Sequence, residues 1–206
     1  MALRVGPNCY VLLPKLHHER SALQFSNLHV SRSVLRKSSR FAISHDVDFD
    51  AVISGIQTQH GDECWLYPPL VDALRAIADS FHDVVTVRTF ECWLDGHLLV
   101  AGEIGYVVGD IYTSLSGFST YPSAGSIQCA ATAAWLELSG FRLWDLGMEL
   151  PYKKKLGAHL MSRHDFLTVV EFARKKRPRP LLQCGKKSTY RARELIDKRL
   201  LIAYVS

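Results

Sequence analysis

Apolar positions recur along this chain with two periods, and the switches between them predict its elements. Phe49, Val52, Ile53 and Ile56 fall at i, i+3, i+4 and i+7, the apolar stripe of a short helix. Pro68 and Pro69 stand at the start of a second helix whose face carries Leu70, Leu74, Ile77 and Phe81. Residues 84–93 and 98–108 are β-rich runs separated by Asp95-Gly96, the dipeptide a tight hairpin turn prefers. A further turn at Gly109-Asp110 leads to 111–118, so a three-strand antiparallel meander is predicted. A small-residue loop, 119–125, then feeds a helix with Ser126 as N-cap, Ile127, Ala130, Ala131 and Trp135 on one face, and Gly140 at C′. A strand over 141–146 follows, and a last core helix runs from Asp165 to about Lys175. Towards the ends, 10–13 reads as an edge strand and 41–45 as a strand. Residues 28–40 begin apolar and become a basic loop or short helix. Residues 190–199 form another short helix, separated from the core by Pro178 and Pro180.

These elements add up to one α+β domain. With 206 residues, 48% of them hydrophobic, the chain can fill a single core. Its expected divisions are a basic N-terminal segment (1–44), the domain itself (45–175) and a basic C-terminal extension (176–206). No apolar run reaches the roughly 18 residues a membrane span needs, and no apolar signal core precedes a cleavage site. The cytoplasm is the expected compartment, with an organellar reading left open by the Ser- and Arg-rich, acid-poor first 44 residues. The five cysteines, Cys9, Cys64, Cys92, Cys129 and Cys184, have no CxxC spacing and read as reduced thiols. The nine histidines form no HExxH pattern, so no metal is expected. Walker-type and dinucleotide-type glycine loops are both absent from the sequence, as is the glycine-rich loop that cradles the pyrophosphate of acetyl-CoA. No cofactor is expected.

The net charge of +5 conceals a segregated pattern. Residues 1–44 carry seven Lys/Arg and one acid, residues 45–152 carry three Lys/Arg and fifteen acids, and residues 153–199 carry fifteen Lys/Arg and four acids. Two basic ends around an acidic middle suit a polyanion such as a nucleic acid. The alternative is that these are solvated faces, with 175–179 (Lys-Lys-Arg-Pro-Arg) a localisation-like tail.

Candidate chemistry gathers in 110–158. Asp145 is a single carboxylate among Leu143, Trp144 and Leu146 on a short strand, placed to accept a proton from an attacking amine. The competing reading is an acid that caps a turn or pairs with Lys153, Lys154 or Lys155. Ser116, Ser119 and Ser123, with Gly117 and Gly125, bring hydroxyls and backbone N–H groups beside a helix start, which favours a carboxylate, phosphate or developing oxyanion. Plain turn chemistry is the alternative there. Phe118, Tyr112, Trp65 and Trp93 are core residues by default, and one of them can instead wall an apolar pocket or stack on a base.

In the same order, a set of short motifs from Leu28 to about Ala173 resembles the leucyl/phenylalanyl-tRNA–protein transferases. Leu28-His29-Val30-Ser31-Arg32-Ser33 is similar to the family's Leu-His-Ile-Ser-Arg-Ser. Glu63-Cys64-Trp65-Leu66 resembles its Gly-Thr-Trp-Ile, and Phe90-Glu91-Cys92-Trp93 its Val-Glu-Val-Trp. Residues 101–109 resemble its Gly-Gly-x-x-Gly-Val-x-x-Gly, and Ser116-Gly117-Phe118-Ser119 its Ser-x-Phe-Ser. Leu143-Trp144-Asp145-Leu146-Gly147 is similar to Leu-Ile-Asp-Cys-Gln, Lys155-Leu156-Gly157-Ala158 to Ser-Leu-Gly-Ala, and Arg163-His164-Asp165-Phe166-Leu167 to Arg-x-x-[Phe/Tyr]-Leu.

The resemblance implies an acyl-CoA N-acyltransferase-like (GNAT-like) mixed sheet flanked by helices. It implies transfer of Leu or Phe from aminoacyl-tRNA to the N-terminal Arg or Lys amine of an acceptor protein, feeding protein turnover, by a monomer. The tRNA supplies the activated acyl group, so neither ATP nor metal enters. Position by position, it makes Asp145 the acid near the reacting centre. Trp65 and Tyr112 would lie near the terminal adenosine and aminoacyl pocket, and Leu115, Ser116, Phe118, Ser119 and Gly147 would lie in or beside that pocket. Arg32, Arg36, Lys37, Lys153, Lys154 and Lys155 would contact tRNA. The chain departs from the family where a pocket glutamate has become Leu115, a methionine Gly117, and the glutamine after the aspartate Gly147. The family's Trp-x-x-Pro-Asp-Pro-Arg is reduced to residues 16–20. Glu103 stands where a pocket methionine is expected, and so can replace the lost acid. Two further readings are a non-catalytic RNA-binding relative and an N-acyltransferase using another donor.

Overall fold

The computed structural model describes residues 2–80, 83–182 and 189–203, the last four in backbone only. The chain opens with a hairpin of β1 (Ala2–Gly6) and β2 (Cys9–Leu12) that forms its own two-stranded sheet. There follow β3 (Glu19–Leu23), α1 (Arg32–Lys37), β4 (Phe41–His45), α2 (Phe49–His60) and α3 (Pro68–Ala78). The meander is β5 (Thr86–Leu94), β6 (Leu98–Val108) and β7 (Ile111–Ser119). Next come α4 (Ala124–Leu138), β8 (Leu143–Gly147), α5 (Pro151–Leu156), β9 (His159–Ser162) and α6 (Arg163–Ala173). The described residues close with β10 (Thr189–Arg191) and α7 (Ala192–Ala203).

Local chemistry explains these boundaries. Asp95 and Gly96 both take positive φ, 51° and 82°, the left-handed pair that makes a two-strand hairpin twist correctly. Pro68 sits at the first position of α3, where its missing N–H costs nothing. Helix α4 starts three residues before the expected site: Ser123 is the N-cap, in the left-handed region at φ 70°, and Ser126 lies inside the first turn. The expected C′ role of Gly140 is met at φ 75°. Phe81, expected on the face of α3, lies outside the described residues, as does Cys184.

Eight strands form one sheet in the order β10-β4-β5-β6-β7-β8-β3-β9. All neighbours are antiparallel except β7 and β8. The class is therefore α+β, a mixed sheet flanked by helices. Helix α4, with α1 and α7, packs on one face around Phe90, Cys92, Tyr112, Trp135 and Trp144. On the other face α2 and α3 enclose Ile53, Ile56, Val87, Ile104 and Phe118, while α6 covers Ala22, Ile111 and Leu143. Burial of these side chains, about 1.5–3 kcal/mol for each of the large aliphatic and phenylalanine side chains, is the main force holding the layers together.

The basic ends are not appendages. Strand β3 sits between β8 and β9 with Ala22 and Leu23 fully buried, and β10 extends the sheet beyond β4. Segregated charge suggested boundaries at residues 44 and 175, but it reports only the exposed positions of these elements; Ser21, Ala22 and Leu23 of β3 and Leu195 and Ile196 of α7 are buried. The 175–179 stretch is likewise tied down. Lys176 pairs with Asp110 at 2.8 Å, and the backbone N–H of Arg179 donates to the carbonyl of Gly109.

Gly157 closes α5 at φ 105°, and a Cβ there would overlap the carbonyl of Asn27. Gly157→Ala is expected to destabilise the fold by about 2–3 kcal/mol. A denaturant midpoint equal to that of the unsubstituted protein would contradict this.

Candidate active site

The parallel pairing of β7 with β8 stops at Thr113 and Asp145. Beyond that point β7 continues to Ser119 with no partner on this side among the described residues, and a cavity of ≈ 420 Å³ opens in the gap. At the same place Leu115 is the extra residue of a β-bulge, since Gly105 pairs with Ser114 but Ile104 with Ser116. Ser114, Leu115, Ser116, Gly117, Phe118 and Ser119 form one wall, and Ser123, Gly125, Ser126, Gln128 and Cys129 from the start of α4 form another. Leu146, Tyr152 and Lys153 close the far side, with Glu103 from β6 and Gln59 from α2. The small-residue loop thus brings a helix start to a cleft, as its composition predicts. Ser119 Oγ accepts from the backbone N–H of Gly125 at 3.0 Å, fixing the loop against α4.

Glu103 is the buried acid of this cavity. Its side chain points to the α4 face, 7% exposed, and Oε2 accepts from Ser114 Oγ at 3.0 Å. Among the described residues neither its other oxygen, Oε1, nor the buried hydroxyl of Tyr112 makes a hydrogen bond of ordinary geometry, although Tyr112 and Gln128 both stand close enough to favour the ionised carboxyl. Burial pushes the Glu103 carboxyl up to about 7, against the pull of hydrogen bonding from Ser114, Tyr112 and Gln128 and the charge of Lys153. Ser114 also accepts from Trp144 Nε1 at 2.8 Å, which holds the glutamate's support in place.

Lys153 is the cation of the cavity. It is 7% exposed, and its Nζ donates to the carbonyls of Leu146 at 2.5 Å and Met148 at 2.9 Å. Burial pulls its ammonium below the ordinary lysine range, opposed by the charges of Asp145 and Glu103. It was expected to contact tRNA phosphates. In the structure two short-range carbonyl bonds turn its amine inward, whereas Lys154 and Lys155 of the same six-residue helix point to solvent.

Asp145 lies on the opposite face of the sheet. It is 1% exposed and is held by Arg20 in a two-pronged pair, Nε to Oδ1 at 3.0 Å and Nη2 to Oδ2 at 2.6 Å. Thr113 Oγ1 at 3.3 Å and the backbone N–H of Gly147 at 2.9 Å also donate to it. Strand alternation is the reason. Leu146 faces the cavity, so its neighbour Asp145 faces α6, where Arg20 also lies 5.7 Å from the centre of the Phe166 ring. An acid so engaged does not touch a group in the cavity. Of the sequence alternatives, pairing is what occurs, but with Arg20 rather than with a lysine of α5.

The remaining expected residues divide between the cavity and the cores. Leu115, Ser116 and Ser119 line the cavity as expected. Phe118 borders it, but its ring packs down against Gly55 and Gly102 in the α2 core. Tyr112 lies beneath the floor, fully buried between Phe90 and Trp144. Trp65 packs in the α2–α3 core and Gly147 is the last residue of β8, at φ 79°, and neither lines the cavity. Arg32, Arg36 and Lys37 are exposed on α1, and Lys37 Nζ donates to Ser123 Oγ at the cavity rim. Gln128, Cys129 and Tyr152 escaped sequence reasoning. A lone Gln inside an Ala-rich helix was the available signal for the first. A second hollow of ≈ 360 Å³ lies alongside, between α1 and α4, and shares Ser126, Cys129 and Tyr152 with the first. Among the described residues no group of three or more His, Cys, Asp or Glu could hold a metal, and no helix is long and apolar enough to cross a membrane.

A cleft between diverging strands, beside a helix start and with an acid and an amine inside, is an arrangement suited to acyl transfer to an amine. Residues 22–171 match the family described as leucyl/phenylalanyl-tRNA protein transferase, and the chain belongs to that family. The relative named leucyl/phenylalanyl-tRNA–protein transferase from Zymomonas mobilis is 31% identical over 153 residues, covering 72% of this chain and 55% of that protein. Its namesake from Hydrogenovibrio crunogenus is 29% identical over 157 residues, 74% of this chain and 59% of that one. The chain thus spans between half and two thirds of the length of these relatives. The solved structure of L-PGS from Bacillus licheniformis aligns over 79% of this chain at 10% identity with a TM-score of 0.46.

Proposed function

We propose that this chain transfers an aminoacyl group, Leu or Phe by family, from tRNA to the N-terminal amine of an acceptor protein, and that the cavity between β7 and β8 is where the bond forms. The observation carrying this reading is the coincidence of family membership over residues 22–171 with a cavity holding a buried carboxyl and a buried amine. Glu103 is the proton acceptor in this reading. A base poised near neutral pH is ionised often enough to act and basic enough to take the amine's proton. Asp145 is then a positioning residue. Through its bond to the Gly147 N–H and its pair with Arg20 it fixes the end of β8, and with it Leu146 and the carbonyl that Lys153 binds.

In the same reading the exposed cations Arg32, Arg36 and Lys37 of α1 and Lys154 and Lys155 of α5 flank the mouth and meet tRNA phosphates, with the protein working as a cytoplasmic monomer. Such contacts are electrostatic and salt-sensitive. Lys154→Ala and Lys155→Ala are each expected to lower the slope of log affinity against log salt by about 1, with no change in the amino acid preferred. Slopes unchanged in both variants would remove α5 from the tRNA path.

The reading is tested by transfer of radiolabelled Leu and Phe from charged tRNA to a peptide beginning with Arg or Lys. Labelled peptide is the expected product. Salt-sensitive binding of charged tRNA with no product would mark a non-catalytic RNA-binding relative. Neither binding nor product would leave only the family and the fold.

A further inference from the structure

Lys153 is not explained by carbonyl capping alone. A lysine ammonium has three N–H donors, and two are taken by the carbonyls of Leu146 and Met148. Lys153 nevertheless lines the cavity that Glu103 lines, with its Nζ 5.6 Å from the centre of the ring of Tyr152, another lining residue, and each group feels the charge of the other. A buried cation is costly to desolvate, and a neutral side chain could satisfy two carbonyls without that cost. Its retention inside a polar cavity is understandable if negative charge develops there. The start of α4, at Gly125 and Ser126, faces the same space and favours negative charge in the same way.

We infer that Lys153 is a catalytic residue of the transfer reaction, its third N–H donating to the acyl oxygen as that oxygen becomes an oxyanion. The inference rests on the function proposed above. The acceptor's neutral α-amine attacks the ester carbonyl carbon, the C–N bond forms, and the carbonyl π pair moves onto oxygen, where Lys153 Nζ–H binds it. Glu103 takes the proton shed by the nitrogen. The oxygen pair then re-forms the carbonyl, the bond to the ribose oxygen breaks, and that oxygen leaves with the proton from Glu103. Amine and ester become amide and alcohol, and both cavity residues return to their starting states.

The discriminating variants are Lys153→Gln and Lys153→Arg in the full chain. Gln keeps N–H donors for the two carbonyls but has no charge, whereas Arg keeps the charge. Single-turnover transfer at saturating charged tRNA is expected to slow about 10²–10³-fold in Lys153→Gln, the usual loss for one oxyanion donor. Charged-tRNA affinity and thermal midpoint should stay within error of the unsubstituted protein, and Lys153→Arg should recover at least tenfold of the rate. Lys153→Gln transferring at the full rate would overturn the inference while the transferase reading stood. So would equal slowing in both variants accompanied by early melting, which is the behaviour of a carbonyl cap. A lack of transfer by the unsubstituted protein would sink the inference together with the reading beneath it.

Discussion

Glu103→Gln is expected to slow transfer by about 10²–10⁴-fold, the usual contribution of a positioned general base, while leaving charged-tRNA affinity unchanged. The unsubstituted protein's rate should rise with pH through about 7 as the carboxyl ionises, and the variant should lose that inflection. Stability moves the other way. An acid whose folded value is raised from 4.5 to about 7 binds more protons folded than unfolded across that interval. By linkage, stability therefore falls as pH rises from about 4.5 to 7, and the penalty persists above. Replacing the carboxyl by a neutral amide of the same shape should thus add more stability at pH 8 than at pH 5, by an amount on the order of 1–3 kcal/mol, read as a larger rise in thermal midpoint at pH 8. A variant that melts earlier at pH 8 would show that the ionised carboxylate is well satisfied, contrary to the orphaned Oε1.

The second large effect is predicted at Arg20. Its guanidinium is 20% exposed at the side chain and its partner Asp145 only 1%. Arg20→Ala leaves a carboxylate in the core with only Thr113 and Gly147 for company. Breaking a buried pair from one side costs about 3–5 kcal/mol, and partial exposure of Arg20 places the expectation at the lower end, about 3 kcal/mol. Asp145→Asn removes the charge but keeps the shape and an oxygen for the Gly147 N–H. It should destabilise less, because the stranded partner is then the more exposed guanidinium. Equal stability of Arg20→Ala and the unsubstituted protein in urea melts would show the pair to be dispensable.

Much of the sheet was legible because its signals are local. The Asp95-Gly96 turn, the 3.6-residue stripe of α2 and the prolines that open α3 need no tertiary information, and each is found in place. Helix α4 shows the limit. Its interior is buried nearly all round, from Ala124 to Leu136, so no polar face marks where it begins, and two serines compete as N-cap. Strands β3 and β10 are short and pair with segments distant in sequence, a relation no window contains.

The site was legible in part for the same reasons. The 114–119 run and its serines stood out, and alignment with the family pointed to Glu103. What a sequence cannot supply is which of its two faces a strand turns to the cavity, and that decides the roles of Asp145 and Glu103. Asp145 carries the family motif yet faces α6 and Arg20, whereas Glu103, a departure from the family, faces the cavity. Lys153 was grouped with Lys154 and Lys155 by adjacency, although on a helix one turn puts these three on different faces.

The most direct test of where the chemistry occurs compares Glu103→Gln with Asp145→Asn in single-turnover transfer from charged tRNA, each shown to be folded and to bind tRNA. The expected result is a loss of two or more orders of magnitude in Glu103→Gln and a smaller loss in Asp145→Asn. Full activity in Glu103→Gln with none in a folded Asp145→Asn would place the reacting groups on the other side of the sheet and contradict the assignment of the cavity.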